Sequence, residues 1–152
     1  MKPVTFFVPG RPRPKGSTRA FAYKDKRTGK TRAATIASNS EALDGWESRI
    51  FDMARQFFLA PTTDPVEVSL AFYLLRPRSH FRANGTLKPS APDYPTGKPD
   101  LDKLVRGALD PLTGVAYRDD SLIVALQAEK LYAWDGREGM QLLMRRRTCP
   151  SD

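Results

Sequence analysis

The chain has 152 residues, with 25 Lys and Arg against 17 Asp and Glu, a formal charge of +8. That length holds one compact core rather than two, and a content of 40% hydrophobic and 28% charged residues excludes a disordered or fibrous chain. The surplus of cations makes a polyanion, nucleic acid first, the partner to consider, although charge alone serves solubility equally well. The lone Cys149 excludes an internal disulfide and lacks the clustered partners of a zinc site, which fits a reducing cytoplasm. The apolar start MKPVTFFVPG is broken by Pro9, and no run approaches membrane-spanning length, so neither export nor insertion is expected.

In chain order, residues 4–8 (VTFFV) read as a short strand ended by Pro9 and Gly10. Residues 11–32 are rich in cations and turn formers, with Phe21 and Tyr23 interleaved, and read as a mobile basic arm or hairpin. Ser38 followed by Glu41 has capping-box spacing. Leu43, Trp46, Ile50, Met53 and Phe57 then recur at spacings of three and four, which predicts an amphipathic helix of about five turns with Trp46 in its packed stripe. Val66 to Leu75 alternates as a half-buried strand, with Val66, Val68, Leu70, Phe72 and Leu74 on one face. Residues 76–99 lose periodicity, and a loop of that length in a small domain is functional or disordered.

Leu101, Leu104, Val105, Ala108, Leu109 and Leu112 predict a second amphipathic helix, kinked or stopped near Asp110 by Pro111. Residues 121–133 read as a strand with Leu122, Val124, Leu126 and Ala128 in phase. Asp135 and Gly136 read as a hairpin turn into a last strand near residues 140–144, and the terminal RRRTCPSD as a short basic tail. The order strand, helix, strand, helix, strand, strand predicts a single α/β (α+β) domain over residues 1–147, a small mixed β-sheet packed with two main helices, followed by a tail at 148–152.

The chemistry concentrates in KPDLDKLVRGALDPLTGVAYRDD, residues 98–120. Asp100 and Asp102 open a helix, where backbone N–H groups and the dipole favour anions. Asp119 and Asp120 form a second acidic pair after the chain has turned back. If the following strand lies beside the helix start, the two pairs converge, and converging carboxylates call for a hard divalent cation, Mg²⁺ with Mn²⁺ as a substitute. Such an ion suits phosphodiester hydrolysis. Arg106, one turn beyond Asp102, either pairs with that carboxylate or steadies charge on a phosphate. The plainer account of the same residues is an N-capping Asp100, an Asp102–Arg106 surface pair and a turn at Asp119 and Asp120.

The run from Lys98 to Lys130, with a D-x-D pair opening a helix, a basic residue one turn later, an Asp near the helix end, then D-D and a strand ending in Lys, resembles the RusA family of Holliday-junction resolvases. The resemblance implies a RusA-like fold and a homodimeric, Mg²⁺-dependent enzyme that makes paired nicks in branched DNA. It implies Asp100, Asp102 and Asp120 as essential carboxylates, Asp119 as an adjacent acidic member and Asp110 as structural, and it points to a bacterium or its phage. Lys103 stands where the family usually has Asn. Arg106 stands at the family's catalytic Lys; it keeps the charge but cannot donate a proton near neutral pH.

A nuclease also needs cations to hold a polyanion that its carboxylates repel. Arg11, Arg13, Lys15 and Arg19 in the first arm, with Lys98, Lys103 and Lys130 around the acidic run, are the expected DNA contacts; Arg76, Arg78, Arg82 and Lys88 offer a second basic loop. His80 and Cys149 read as a surface histidine and an inert tail cysteine. The absence of a Walker-type loop argues against a nucleotide cofactor. Two other readings stay open: a branched-DNA-binding protein that does not cut, and a general nuclease with weak preference for junctions.

Overall fold

The computed structural model describes residues 2–16, 19–36 and 40–148, with only the backbone course of 19–23, 32–36 and 40. Ser38 of the expected capping pair and Cys149 lie outside the described residues. The elements are β1 (Val4–Pro9), β2 (Arg19–Lys24), β3 (Thr31–Ile36), α1 (Ser40–Phe57), β4 (Val66–Leu74), α2 (Leu101–Leu109), β5 (Ile123–Tyr132) and β6 (Gly139–Arg146). They make a four-stranded mixed sheet in the order β1-β6-β4-β5, with β2 and β3 as a separate hairpin. No described helix is long and apolar enough to cross a membrane.

Alternation along β4 decides where the core forms. Val66, Val68, Leu70 and Phe72 are buried, joined by Phe6 and Val8 of β1 and Met140, Leu142 and Met144 of β6. Against this face pack Trp46, Ile50, Ala54 and Phe58 from α1 and just beyond it, with Leu104 and Ala108 of α2. Each such side chain contributes roughly 1.5–3 kcal/mol on burial. The α1 stripe differs from the predicted one at its end. Phe58 is buried, whereas Phe57 is 46% exposed and stacks on Phe6 at 5.0 Å. Pro111 acts as expected, with α2 ending at Leu109 and a 3-10 turn following at Asp110–Leu112.

Three expectations need correction. β5 and β6 are not a hairpin: both pair with β4, β5 parallel and β6 antiparallel, so the turn at Asp135 and Gly136 carries the chain across the end of β4. Gly136 has the positive φ of that turn, 76°, but the strand between its flanks prevents their pairing. Val124 and Leu126 are exposed, at 58% and 48%, while Leu122 and Ala128 pack on the core. β5 is an edge strand, and the register shift between Val66 and Glu67 interrupts its alternation. Arg145 and Arg146 belong to β6 rather than a tail; Arg145 and Arg147 both grip Glu67, whose carboxyl the two guanidinium groups hold below the usual range, Arg145 first.

The basic arm begins anchored rather than mobile. Pro12 is fully buried, the Lys15 amide donates to the Lys103 carbonyl at 2.9 Å, and the Lys15 ammonium pairs with Glu47 on α1 and Asp110 after α2. The arm lies so close to α2 that a Cβ on Gly107 would sit 2.7 Å from the Arg13 carbonyl oxygen. Backbone there cannot yield as a flexible side chain would. Gly107→Ala is therefore expected to destabilise the fold by about 1–3 kcal/mol, read as a lower denaturation midpoint at unchanged slope.

Candidate active site

The start of α2 is held by a lysine from the neighbouring strand. Lys130, near the end of β5, donates from its Nζ to the carbonyl oxygens of Gly97 at 2.8 Å and Pro99 at 2.9 Å. Its register partner is the buried Phe72, so the side chain stands on the helix-bearing face. Carbonyls before a helix otherwise need solvent, and a charged donor fixes two at once. The structure thus uses Lys130, counted among the expected DNA contacts, to position the acidic segment.

Asp100 occupies the N-cap position without capping. Its Oδ2 accepts from the Lys103 ammonium at 2.8 Å instead. That hydrogen bond and charge, assisted by Lys98 and Lys130, hold its carboxyl below the usual range. Asp102 in the first turn is exposed and forms no ion pair or side-chain hydrogen bond with any described residue, nor does Arg106. The plainer account therefore fails at three residues: Asp100 does not cap, and Asp102 and Arg106 do not pair. Arg11, Arg13, Lys98 and Lys103 line a groove of about 360 Å³ beside Asp100.

The second acidic pair is set by Tyr117. Its hydroxyl donates to the Leu109 carbonyl at 2.7 Å, closing the end of α2, and burial pushes the phenol well above its usual range. Thr62 bonds the same segment through Ala116 and Arg118, fixing the turn just ahead of β4. Asp119 caps the 3-10 turn at Asp120–Leu122 by accepting from the Ser121 amide at 2.9 Å, and the Ser121 hydroxyl first, then that amide, lower its pKa. Here the turn-forming role anticipated for Asp119 is what the structure shows. Asp120 is exposed.

The two acidic pairs do not converge within one chain. β4 and β5 are parallel, so α2 must run back along the sheet between them. Asp100 consequently lies toward the end of β5, where Lys130 is, while Asp119 and Asp120 precede its start. Lys130 and Ile123 are seven residues apart, roughly 23 Å of strand. Accordingly, no group of three or more His, Cys, Asp or Glu among the described residues is placed to hold a metal ion. The carboxylate oxygens are the right kind of donor for Mg²⁺, but one chain does not close the set.

Of the remaining cations, Lys15 is committed to Glu47 and Asp110, whose hydrogen bonds, that to Asp110 first, raise its pKa. Arg19 opens β2. His80 lies edge-on to Tyr132 at 5.7 Å, and its buried Nδ1 has no described partner. The long loop is folded against β5 through Arg76, which lies 4.0 Å over the Tyr132 ring and donates to the Pro92 carbonyl at 2.8 Å.

A family model described as endodeoxyribonuclease RusA matches residues 9–139, a span holding both acidic pairs and both basic loops. The chain belongs to the RusA endodeoxyribonuclease family. A curated relative, an uncharacterized protein YqaN of Bacillus subtilis (strain 168), is 32% identical over 77 residues, covering 49% of this chain and 54% of that protein. This chain thus matches about half the length of that relative.

The tether makes a prediction of its own. Lys130→Met keeps the stem but leaves two carbonyls without their charged donor, worth about 1.5–3 kcal/mol. Amide exchange at Leu104, whose N–H bonds the Asp100 carbonyl at 3.1 Å, is expected to speed up. Exchange in β4 should follow only the global stability.

Proposed function

We propose that this chain resolves four-way DNA junctions by divalent-metal-dependent hydrolysis, making paired nicks as a homodimer in the cytoplasm. The observation that carries the reading is the state of the D-x-D pair, with Asp100 turned from the helix it precedes and Asp102 unengaged by any described residue, in a surface otherwise lined by cations. Carboxylates so disposed do little for the fold. Asp100 and Asp102 would hold the ion. When bound, Mg²⁺ or Mn²⁺ polarises a phosphate oxygen and lowers the pKa of a coordinated water.

The separation of the two acidic pairs supports a dimer. Two copies related by a two-fold axis, with their α2 helices side by side and reversed, would bring Asp119 and Asp120 of one copy to Asp100 and Asp102 of the other, twice over. Two equivalent sites are what symmetric nicks require. Arg106, exposed one turn beyond Asp102, would stabilise charge developing on the phosphate while remaining protonated throughout. Lys98, Arg11 and Arg13 would hold the flanking backbone, and Lys103 would exchange Asp100 for a phosphate oxygen as the ion enters.

Wild-type protein is expected to nick a synthetic four-way junction in pairs when Mg²⁺ is added and to leave linear duplex largely intact. Asp102→Asn and Asp120→Asn should each bind the junction without cutting it. Co-expressed as heterodimers, the two dead variants should recover single nicks, because one acid set per dimer is intact. Complete sites within each chain would leave the mixture silent. A second reading, junction binding without cleavage, is favoured by the Lys103 ammonium on Asp100, an internal cation where a metal would bind. It prevails if wild type binds junctions but never cuts in Mg²⁺ or Mn²⁺.

A further inference from the structure

Beyond the acidic site, four hollows follow one another, each sharing lining residues with the next. The hollow beside Asp100 shares Arg11, Pro12, Lys98 and Pro99 with a larger one of about 670 Å³ under the 76–99 loop. There Arg11, Arg76, Arg78 and Lys98 face a single carboxylate, Glu138. That groove shares Arg76 and Tyr132 with a third hollow, which in turn shares Tyr73 and Trp134 with a fourth, of about 280 Å³, floored by Phe7 and Tyr73. Lining chemistry changes along the way, from cations near Asp100 to aromatic rings at the far end, where Asp93 lines the third hollow and Asp135, paired with Arg137, the fourth.

Trp134 stands between the last two hollows, 87% exposed, with Tyr94 at 63% nearby. Leaving an indole in water forgoes a large burial gain. An aromatic partner for a protein would be possible on such a surface, but this one is the continuation of a cation-lined groove that starts at the acidic site. A nucleic-acid strand needs both features, cations for its phosphates and exposed rings for its bases.

We infer that the groove from Asp100 to Trp134 is a path for a DNA strand leaving the acidic site, and that Trp134 stacks on an unpaired base. Arg78 and Lys98 neutralise phosphates along it, while Arg76 and Tyr132 form its floor as a stacked pair. Such a path favours branched over linear DNA, because unstacking a base costs less at a branch point than within a continuous duplex. The inference rests on the reading of the chain as a DNA nuclease, but its test measures binding and is independent of cutting.

The two tryptophans make the test direct, since Trp46 is 2% exposed and Trp134 is 87% exposed. Titrating the full chain with single-stranded oligothymidylate, without divalent metal, should quench the solvent-exposed emission, and a blunt duplex should quench it far less. Trp134→Phe should remove the signal yet retain most of the affinity. Trp134→Ala should weaken binding of the single strand about 5- to 100-fold, with blunt duplex affinity little changed. Arg78→Gln should reduce the slope of log affinity against log salt by about one. Equal quenching by duplex, or unchanged single-strand affinity in Trp134→Ala, overturns the inference. So does a Trp134 shielded from iodide in the free protein whose replacement by Ala dissociates an oligomer on sedimentation, because the face then belongs to a second copy.

Discussion

Parallel pairing of β4 with β5 is the constraint from which the rest of the arrangement follows. Parallel neighbours cannot be joined by a tight turn, so the chain must leave the sheet at Leu74, travel back as α2 and re-enter at Ile123. The long loop at one end and the Tyr117 turn at the other are the two halves of that excursion. Each half carries one acidic pair, which is why residues only about twenty apart in sequence occupy opposite ends of the domain.

Charge within the molecule is distributed to match. At the loop end, Lys130 secures backbone carbonyls and Lys103 covers Asp100, so the acidic pair sits in a cationic surround. At the other end, Asp119 is spent on a turn, and Asp110 is neutralised by Lys15. Lys103 thus supplies a built-in counter-ion for one carboxylate.

Elements were legible in the sequence wherever a period was strong. The alternation from Val66 and the helical spacing from Leu101 to Leu109 both correspond to elements at nearly the expected bounds. Pairing was not legible, because nothing in the run from Ser121 to Met144 distinguishes two strands that touch from two that flank a third. The Asp135-Gly136 turn looks the same in either case, and reading it as a hairpin followed the commoner use of that dipeptide. The meeting of the acidic pairs assumed a strand lying alongside the helix start, and within one chain parallel pairing reverses that sense. The acidic residue types were readable from spacing and family resemblance, but the tethering by Lys130 was not, because a lysine at the end of a strand carries no signal that it reaches across to backbone carbonyls.

Among the described residues β5 has no neighbouring strand on one side, and its Val124 and Leu126 are exposed. A flat apolar margin of this sort is a template on which other chains extend a sheet, the first step toward insoluble assemblies. Here the apolar stretch is short, because Gln127, Glu129 and Lys130 follow, and the register shift beside Ile123 twists its beginning out of line. The lysine that orders the acidic segment therefore also stands among the polar residues that end the apolar margin.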